Sequence, residues 1–184
     1  MYKVAIFLAD GFEEIEALTV VDILRRAQID IDMVSITGKR EVVGTHDIGV
    51  IADKLFEEVD FSSVDMLVLP GGMPGTNHLL DHEGLDQFLV DFNEQGKSLA
   101  AICAAPMVLG KKGLLKGKDA TCFPGFEDDL IGAKHLDQDV VVDGNVITSK
   151  GMGTAIDFSL AIIKSIKNDE EASKMAETIQ YRHY

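Results

Sequence analysis

Cysteine is scarce here: the 184 residues contain two, Cys103 and Cys122. Two thiols make neither a disulfide framework nor a zinc-binding set, so a reducing cytoplasm is the expected compartment. Positive charge is scarce as well. Seventeen Lys and Arg against 31 Asp and Glu leave a formal charge of −14, which opposes attraction to phosphate backbones and anionic membranes and argues against nucleic acid as a general partner. Long apolar runs are missing too. "VAIFLA" near the N-terminus is too short for a signal-peptide core, and the longest run, "LAAICAAPMVL", is short and holds a proline, so no membrane partner is expected. There is no Pro/Ser-rich linker, internal repeat or low-complexity tract. One domain over 1–184 is the expectation.

What is present is a rhythm. Runs rich in Val, Ile and Leu recur at "YKVAIFL", "IDIDMVSI", "DMLVLP", "SLAAI" and "NVITS", with helical patterns between most of them. That alternation predicts an α/β fold with a mainly parallel sheet covered by helices on both faces. Residues 40–60 and "DVVVDGNVIT" read as hairpins, the second turning at Asp143-Gly144. "NDEEASKMAETIQYRHY" reads as a last exposed helix, with Asn168 and Asp169 as candidate caps.

In such sheets ligands sit at the carboxyl ends of the strands. Three loops stand out there: "ADGFEEIE", "PGGMPGTN" and "CAAP". A nucleophile elbow needs small residues two before and two after the nucleophile, and Ala101 and Ala105 flank Cys103 in that way. At a helix start, free N–H groups and the helix dipole are expected to lower the thiol's pKa. An inert buried cysteine is the competing reading. Gly71 and Gly72 offer backbone N–H groups to an oxyanion, although glycine-rich turns after strands are common. On a helical projection from Glu13, Glu16 falls in the apolar arc with Val20, Ile23 and Ala27, while Glu14 falls towards solvent. A carboxyl facing the sheet is expected to be desolvated, to stay protonated and to act as a general acid/base; complementing the helix dipole is the plainer alternative. "HLLDH" spaces His78 and His82 as a possible metal pair, but no third ligand is evident and no metal is expected.

"GFEEIE", "LVLPGG" and "AAICAAP", followed by "TCFPGFEDDL" and "TSKGMGTAIDFSLAII", together resemble the DJ-one/ThiJ/PfpI superfamily, in the branch of the parkinsonism-associated deglycase and its bacterial-type relatives. The resemblance covers nearly the whole chain. It implies a flavodoxin-like three-layer sandwich with a nucleophile elbow, a homodimer, and no cofactor. It also implies that Cys103 is the reactive cysteine, Glu16 its protonated partner, and Gly71, Gly72 and the N–H of Ala104 the oxyanion donors. His135 is the candidate for a histidine joining the pair. The activities implied are glutathione-independent conversion of 2-oxoaldehydes such as methylglyoxal to hydroxy acids and removal of early glycation adducts. A redox sensor or chaperone built on the same cysteine is the alternative. The family's protease branch has a histidine directly after the cysteine; Ala104 stands there in this chain, which counts against a protease or amidase. His46 and Met152 depart from residues common in the family and put the pocket rim in question.

Overall fold

The computed structural model describes residues 2–182. Its strands are β1 (Lys3–Leu8), β2 (Asp30–Ser35), β3 (Glu41–Val43), β4 (Gly49–Ile51), β5 (Lys54–Leu55), β6 (Met66–Leu69), β7 (Ser98–Ile102), β8 (Asp119–Ala120), β9 (Lys134–His135), β10 (Val140–Asp143) and β11 (Val146–Ser149). Its helices are α1 (Glu14–Arg26), α2 (Gly75–Asp81), α3 (Glu83–Glu94), α4 (Pro106–Lys111), α5 (Ala155–Ile166) and α6 (Asp169–Thr178). Seven strands form one sheet in the order β10-β11-β7-β6-β1-β2-β5. All pairs in it are parallel except β10 with β11.

The side-chain alternation of β1 explains the layering. Val4, Ile6 and Leu8 face one core with α1, α5 and α6, whereas Ala5 and Phe7 face a second core with α3 and α4. A strand covered on both faces must be apolar at every position, which is why "VAIFL" shows no polar break. Helix α5 buries Ala155, Phe158, Ser159, Ile162 and Ile163, the spacing of one helical face. Helix α1 carries Glu14 and Glu16 in its first turn and Arg25 and Arg26 in its last, each complementing the helix dipole. Asn168 caps α6 by accepting from the Glu171 N–H at 2.9 Å.

The two expected hairpins are β3–β4 and β10–β11. The short β5, which adds an edge strand beside β2, is not legible in the sequence, because two residues carry no periodicity. The "HLLDH" segment is not one helix. It breaks at His82, whose Nδ1 accepts from the Leu85 N–H at 3.0 Å and caps α3, while His78 Nδ1 lies 3.0 Å from the Asp10 carbonyl. Each histidine thus has its Nδ1 engaged by a backbone group. Among the described residues no helix is long and apolar enough to cross a membrane.

Strands β1, β6 and β7 are neighbours in the sheet, so the loops leaving their carboxyl ends meet at one edge. Leu67, on β6 in the middle of the sheet, is completely buried. Leu67→Ala is expected to cost about 2–5 kcal/mol in urea unfolding, from lost transfer energy plus the cavity left behind.

Candidate active site

Cys103 follows β7 directly and has φ +65°. A non-glycine residue in the left-handed region costs about 1–2 kcal/mol, and two backbone hydrogen bonds hold it there. The Cys103 N–H donates to the Ser149 carbonyl at 2.9 Å, and the Cys103 carbonyl accepts from the Phe123 N–H at 2.8 Å. Ala101 and Ala105 are fully buried on either side, as a tight strand-to-helix turn requires. The side chain is left half-buried, reachable from solvent. Cys122, by contrast, is buried in the core between the sheet and α4.

Glu16 comes in from the first turn of α1, with only 1% of its surface exposed. Its Oε2 accepts from the Gly71 N–H at 2.9 Å, while Oε1 is buried without a hydrogen-bond partner among the described residues. Burial pushes its pKa up to about 7, against the opposing pull of the Cys103 thiol and the Gly71 N–H. The charge of Glu13 pushes it further up. Gly71 separates acid from thiol. A methyl group on its Cα would lie 2.5 Å from Cys103 Cβ and 2.6 Å from Glu16 Oε2, so only glycine lets the two side chains meet. Gly72, at φ +91°, turns the chain so that its N–H, with that of Ala104, reaches the sulfur.

Two expectations change here. Gly71 is not an oxyanion donor, because its N–H is committed to Glu16; the donors that act on the sulfur are Gly72 and Ala104. Nor is the thiol's pKa lowered. Burial pushes it up, and so do the Glu16 charge and hydrogen bond, while the two N–H groups pull less strongly the other way. The helix dipole is weak at the sulfur because α4 begins three residues later, at Pro106, and is six residues long. The sulfur's ionisation is thus tied to the carboxyl. Once Glu16 takes the proton, its charge no longer opposes a thiolate and its O–H becomes a donor to it.

His135 does not join the pair. It is exposed on β9, and no hydrogen bond connects it to Cys103 or Glu16. The ring beside the site belongs to Phe123, which the sequence pattern gives no reason to single out.

Glu14 is the other correction: it is 2% exposed, not solvent-facing. The β3–β4 hairpin folds over the start of α1 and covers it. The His46 N–H donates to Glu14 Oε1 at 2.7 Å, and His46 Nδ1 lies 2.9 Å from Oε2. Burial alone would push Glu14 up, but these bonds outweigh it and hold the carboxyl below its ordinary range. The same hydrogen bond, with the Glu13 charge, pushes His46 up. Among the described residues, Glu13, Glu14 and His46 are the one set whose donor atoms lie close enough together, within 4.8 Å, to hold a metal ion. Two larger surface cavities, each of about 550–570 Å³, lie around α5 and beside α1, and Cys103 lines neither.

A parallel α/β sandwich with a left-handed cysteine at the sheet's carboxyl edge and a buried acid against it defines a cysteine-elbow class. The chain belongs to the DJ-1/PfpI family, whose model matches residues 2–165. It is 37% identical over 175 residues to Arabidopsis thaliana protein DJ-1 homolog B, covering 95% of this chain and 40% of that protein. The chain therefore spans about two fifths of that plant relative's length. It is 34% identical over 168 residues to a deglycase of Pyrococcus abyssi, covering 90% and 99%. Oxidized Toxoplasma gondii DJ-1 superimposes with a TM-score of 0.95 at 36% identity, covering all of both chains. The fold is thus the flavodoxin-like sandwich that the motifs implied.

The raised carboxyl makes stability depend on pH. Glu16 titrates near 4.5 when unfolded and near 7 when folded, so between those values the folded protein binds more protons and stability falls as pH rises. The loss is about 3 kcal/mol, absent below pH 4.5 and complete above pH 7. Glu16→Gln is expected to remove it. In denaturant titrations, the stability of the variant minus that of the wild type should rise by about that amount across this pH interval; a constant difference would mean that Glu16 is not desolvated.

Proposed function

We propose that this protein is a cysteine-dependent enzyme acting on reactive carbonyls, with Cys103 as nucleophile and Glu16 as proton carrier. The observation that carries the reading is the buried Glu16 carboxyl, raised to about 7 against a solvent-reachable sulfur. An acid–base group with a pKa near the working pH is the most useful one for moving protons. The name deglycase, borne by the archaeal relative, supports the same class of substrate.

The reaction starts when the Cys103 proton passes to Glu16 and Sγ attacks the aldehyde carbon of a 2-oxoaldehyde, R–CO–CHO. The carbonyl electron pair moves to oxygen, where the Gly72 and Ala104 N–H groups hold it until Glu16 returns the proton. Glu16 next removes the proton from the former aldehyde carbon and, through an enediol, delivers it to the neighbouring carbon. That leaves a thioester of the 2-hydroxy acid. Water cleaves the thioester and restores the thiol. The aldehyde carbon is oxidised and the ketone carbon reduced, so the sum is addition of one water and needs neither metal nor cofactor. Early glycation adducts present the same carbonyl-derived carbon attached to an amine, which leaves as the free amine.

A second reading has its own support. The same sulfur, partly buried and facing two N–H groups, suits a sulfinate, and a relative of this shape is known in an oxidized form. Two equivalents of hydrogen peroxide would each transfer one oxygen to Cys103 and leave as water, making the protein a redox sensor or a redox-regulated chaperone. The proposal also includes a cytoplasmic homodimer, for which the exposed Val43, Ile48 and Ile51 of the β3–β4 excursion supply an apolar patch.

The test uses methylglyoxal, with D- and L-lactate measured separately from aldehyde loss. Cys103→Ser is expected to abolish lactate formation, and Glu16→Gln to lower kcat by about 10²–10⁴-fold. Undiminished turnover in Cys103→Ser overturns the enzyme reading. Selective gain of two oxygens at Cys103 under mild peroxide, with no lactate formed, would favour the sensor.

A further inference from the structure

Between β11 and α5 the chain turns sharply, and two hydroxyls hold the turn. Ser149 Oγ and Thr154 Oγ1 lie 2.6 Å apart. Ser149 Oγ donates to the Asp139 carbonyl at 2.8 Å, and the Gly151 N–H donates to Thr154 Oγ1 at 3.1 Å. Each hydroxyl has a single proton. Since the Ser149 proton goes to Asp139, Thr154 is the donor between the two, and one assignment satisfies the whole chain: Gly151 N–H to Thr154, Thr154 to Ser149, Ser149 to the Asp139 carbonyl. Thr154 Oγ1 also lies 3.0 Å from the Gly151 carbonyl, but that oxygen already accepts from the Thr154 N–H at 2.9 Å. Ser149 is completely buried, so cutting the relay leaves a buried polar group unsatisfied.

Both ends of this relay bear on the reactive pair. The Ser149 carbonyl accepts the Cys103 N–H, one of the two backbone bonds that hold the cysteine in the left-handed region. Gly151 is buried, and a methyl group on it would lie 3.8 Å from Glu16 Oε1, the oxygen without a hydrogen-bond partner among the described residues. The Gly151 backbone therefore covers that oxygen and helps to keep it dry. It brings no charge there. Lys150, the ionised side chain of the loop, pairs with Asp137 and Asp139, and the ionisable groups that act on Glu16 are Cys103 and Glu13. Loosening the loop would admit water to Oε1, favour the carboxylate and weaken Glu16 as acceptor of the thiol's proton.

The geometry points to Thr154 and Ser149 as positioning residues, whose hydroxyl relay fixes the backbone of Cys103 and the cover over Glu16 together, so that sulfur and carboxyl can share one proton. The inference rests on the reading of Cys103 as nucleophile and Glu16 as proton carrier, and it adds what holds them in place.

Alkylation of Cys103 by iodoacetamide tests it without turnover. As pH rises and the pair loses its first proton, the one that remains is shared between carboxyl and sulfur. The labelling rate, read at Cys103 by mass spectrometry, should therefore rise through an inflection and level off, and Glu16→Gln should remove that inflection. Thr154→Val keeps the shape and loses the hydroxyl. It is expected to move the inflection to lower pH and to lower the plateau by about tenfold, in proportion to the carboxyl's lost proton affinity, while Thr154→Ser restores the plateau to within about twofold. Ser159→Ala is the control for lost stability: it removes another buried hydroxyl, which donates to the Ala155 carbonyl at 2.7 Å within α5, and should leave the profile in place. If Thr154→Val does not fold, Ser149→Ala cuts the same relay and should shift the profile in the same direction. A wild type without the inflection, a relay variant whose profile matches the wild type, or a Ser159→Ala profile shifted as far overturns the inference. Lactate formation is measured separately: its absence in the wild type would sink the enzymatic reading, while the labelling profiles still report whether the relay positions the pair.

Discussion

The site depends on one constraint: a carboxyl group and a thiol must share a place from which water is largely excluded. Two ionised groups cannot coexist there cheaply, so the acid of lower intrinsic pKa is raised towards neutrality and the thiol rises with it. The rest of the local structure keeps them together. Helix α1 points its first turn at the sheet, Gly71 leaves room between the two side chains and ties one carboxylate oxygen, and the other oxygen has no hydrogen-bond partner among the described residues. An unpartnered carboxylate oxygen in a dry site favours the neutral acid over the charged one, because the charge loses more by dehydration than the neutral group does.

The backbone serves the same constraint from the other side. Cys103 in the left-handed region is strained, and the strain persists because β11 and the segment after β8 hold its N–H and its carbonyl in place. Glu14 illustrates the opposite solution to burial. It lies two residues away and is as fully covered, yet it stays ionised, because it sits nearer the surface under an exposed histidine and His46 supplies two hydrogen bonds and the means to carry a positive charge. Two glutamates on one helical turn are therefore shifted in opposite directions, by depth of burial and by the partners each one has.

The same contrast separates what is legible in the sequence from what is not. The main strands can be read because their burial on both faces forces continuous apolar runs, and Glu16 can be placed because a helix has a fixed angular step. Glu14 is misplaced by the same projection, since a projection knows one helix and not the β3–β4 hairpin that covers it. Gly71 falls correctly at the site but is given the wrong task; whether an N–H is free depends on what else reaches it. The thiol's direction of shift fails for a similar reason, because dehydration and a neighbouring carboxyl are long-range facts while a helix start is a local one. His135 comes from the resemblance, and the two-strand pairing of β8 with β9 carries it to an exposed edge, leaving Phe123 beside the sulfur.

The proton's position then links structure to chemistry. With the proton on sulfur, the carboxylate repels any further negative charge; with it on Glu16, that repulsion is gone, and in the function proposed above the sulfur is then the nucleophile and Glu16 the acid. Interconverting the two forms moves one proton a short distance within a dry pocket and leaves the total charge unchanged. The desolvation penalty borne by Glu16 in the folded protein is in this sense what keeps the proton available near neutral pH. A fully hydrated glutamate would be ionised there and could donate nothing, and a fully satisfied one, such as Glu14, would hold its charge too firmly to take the thiol's proton.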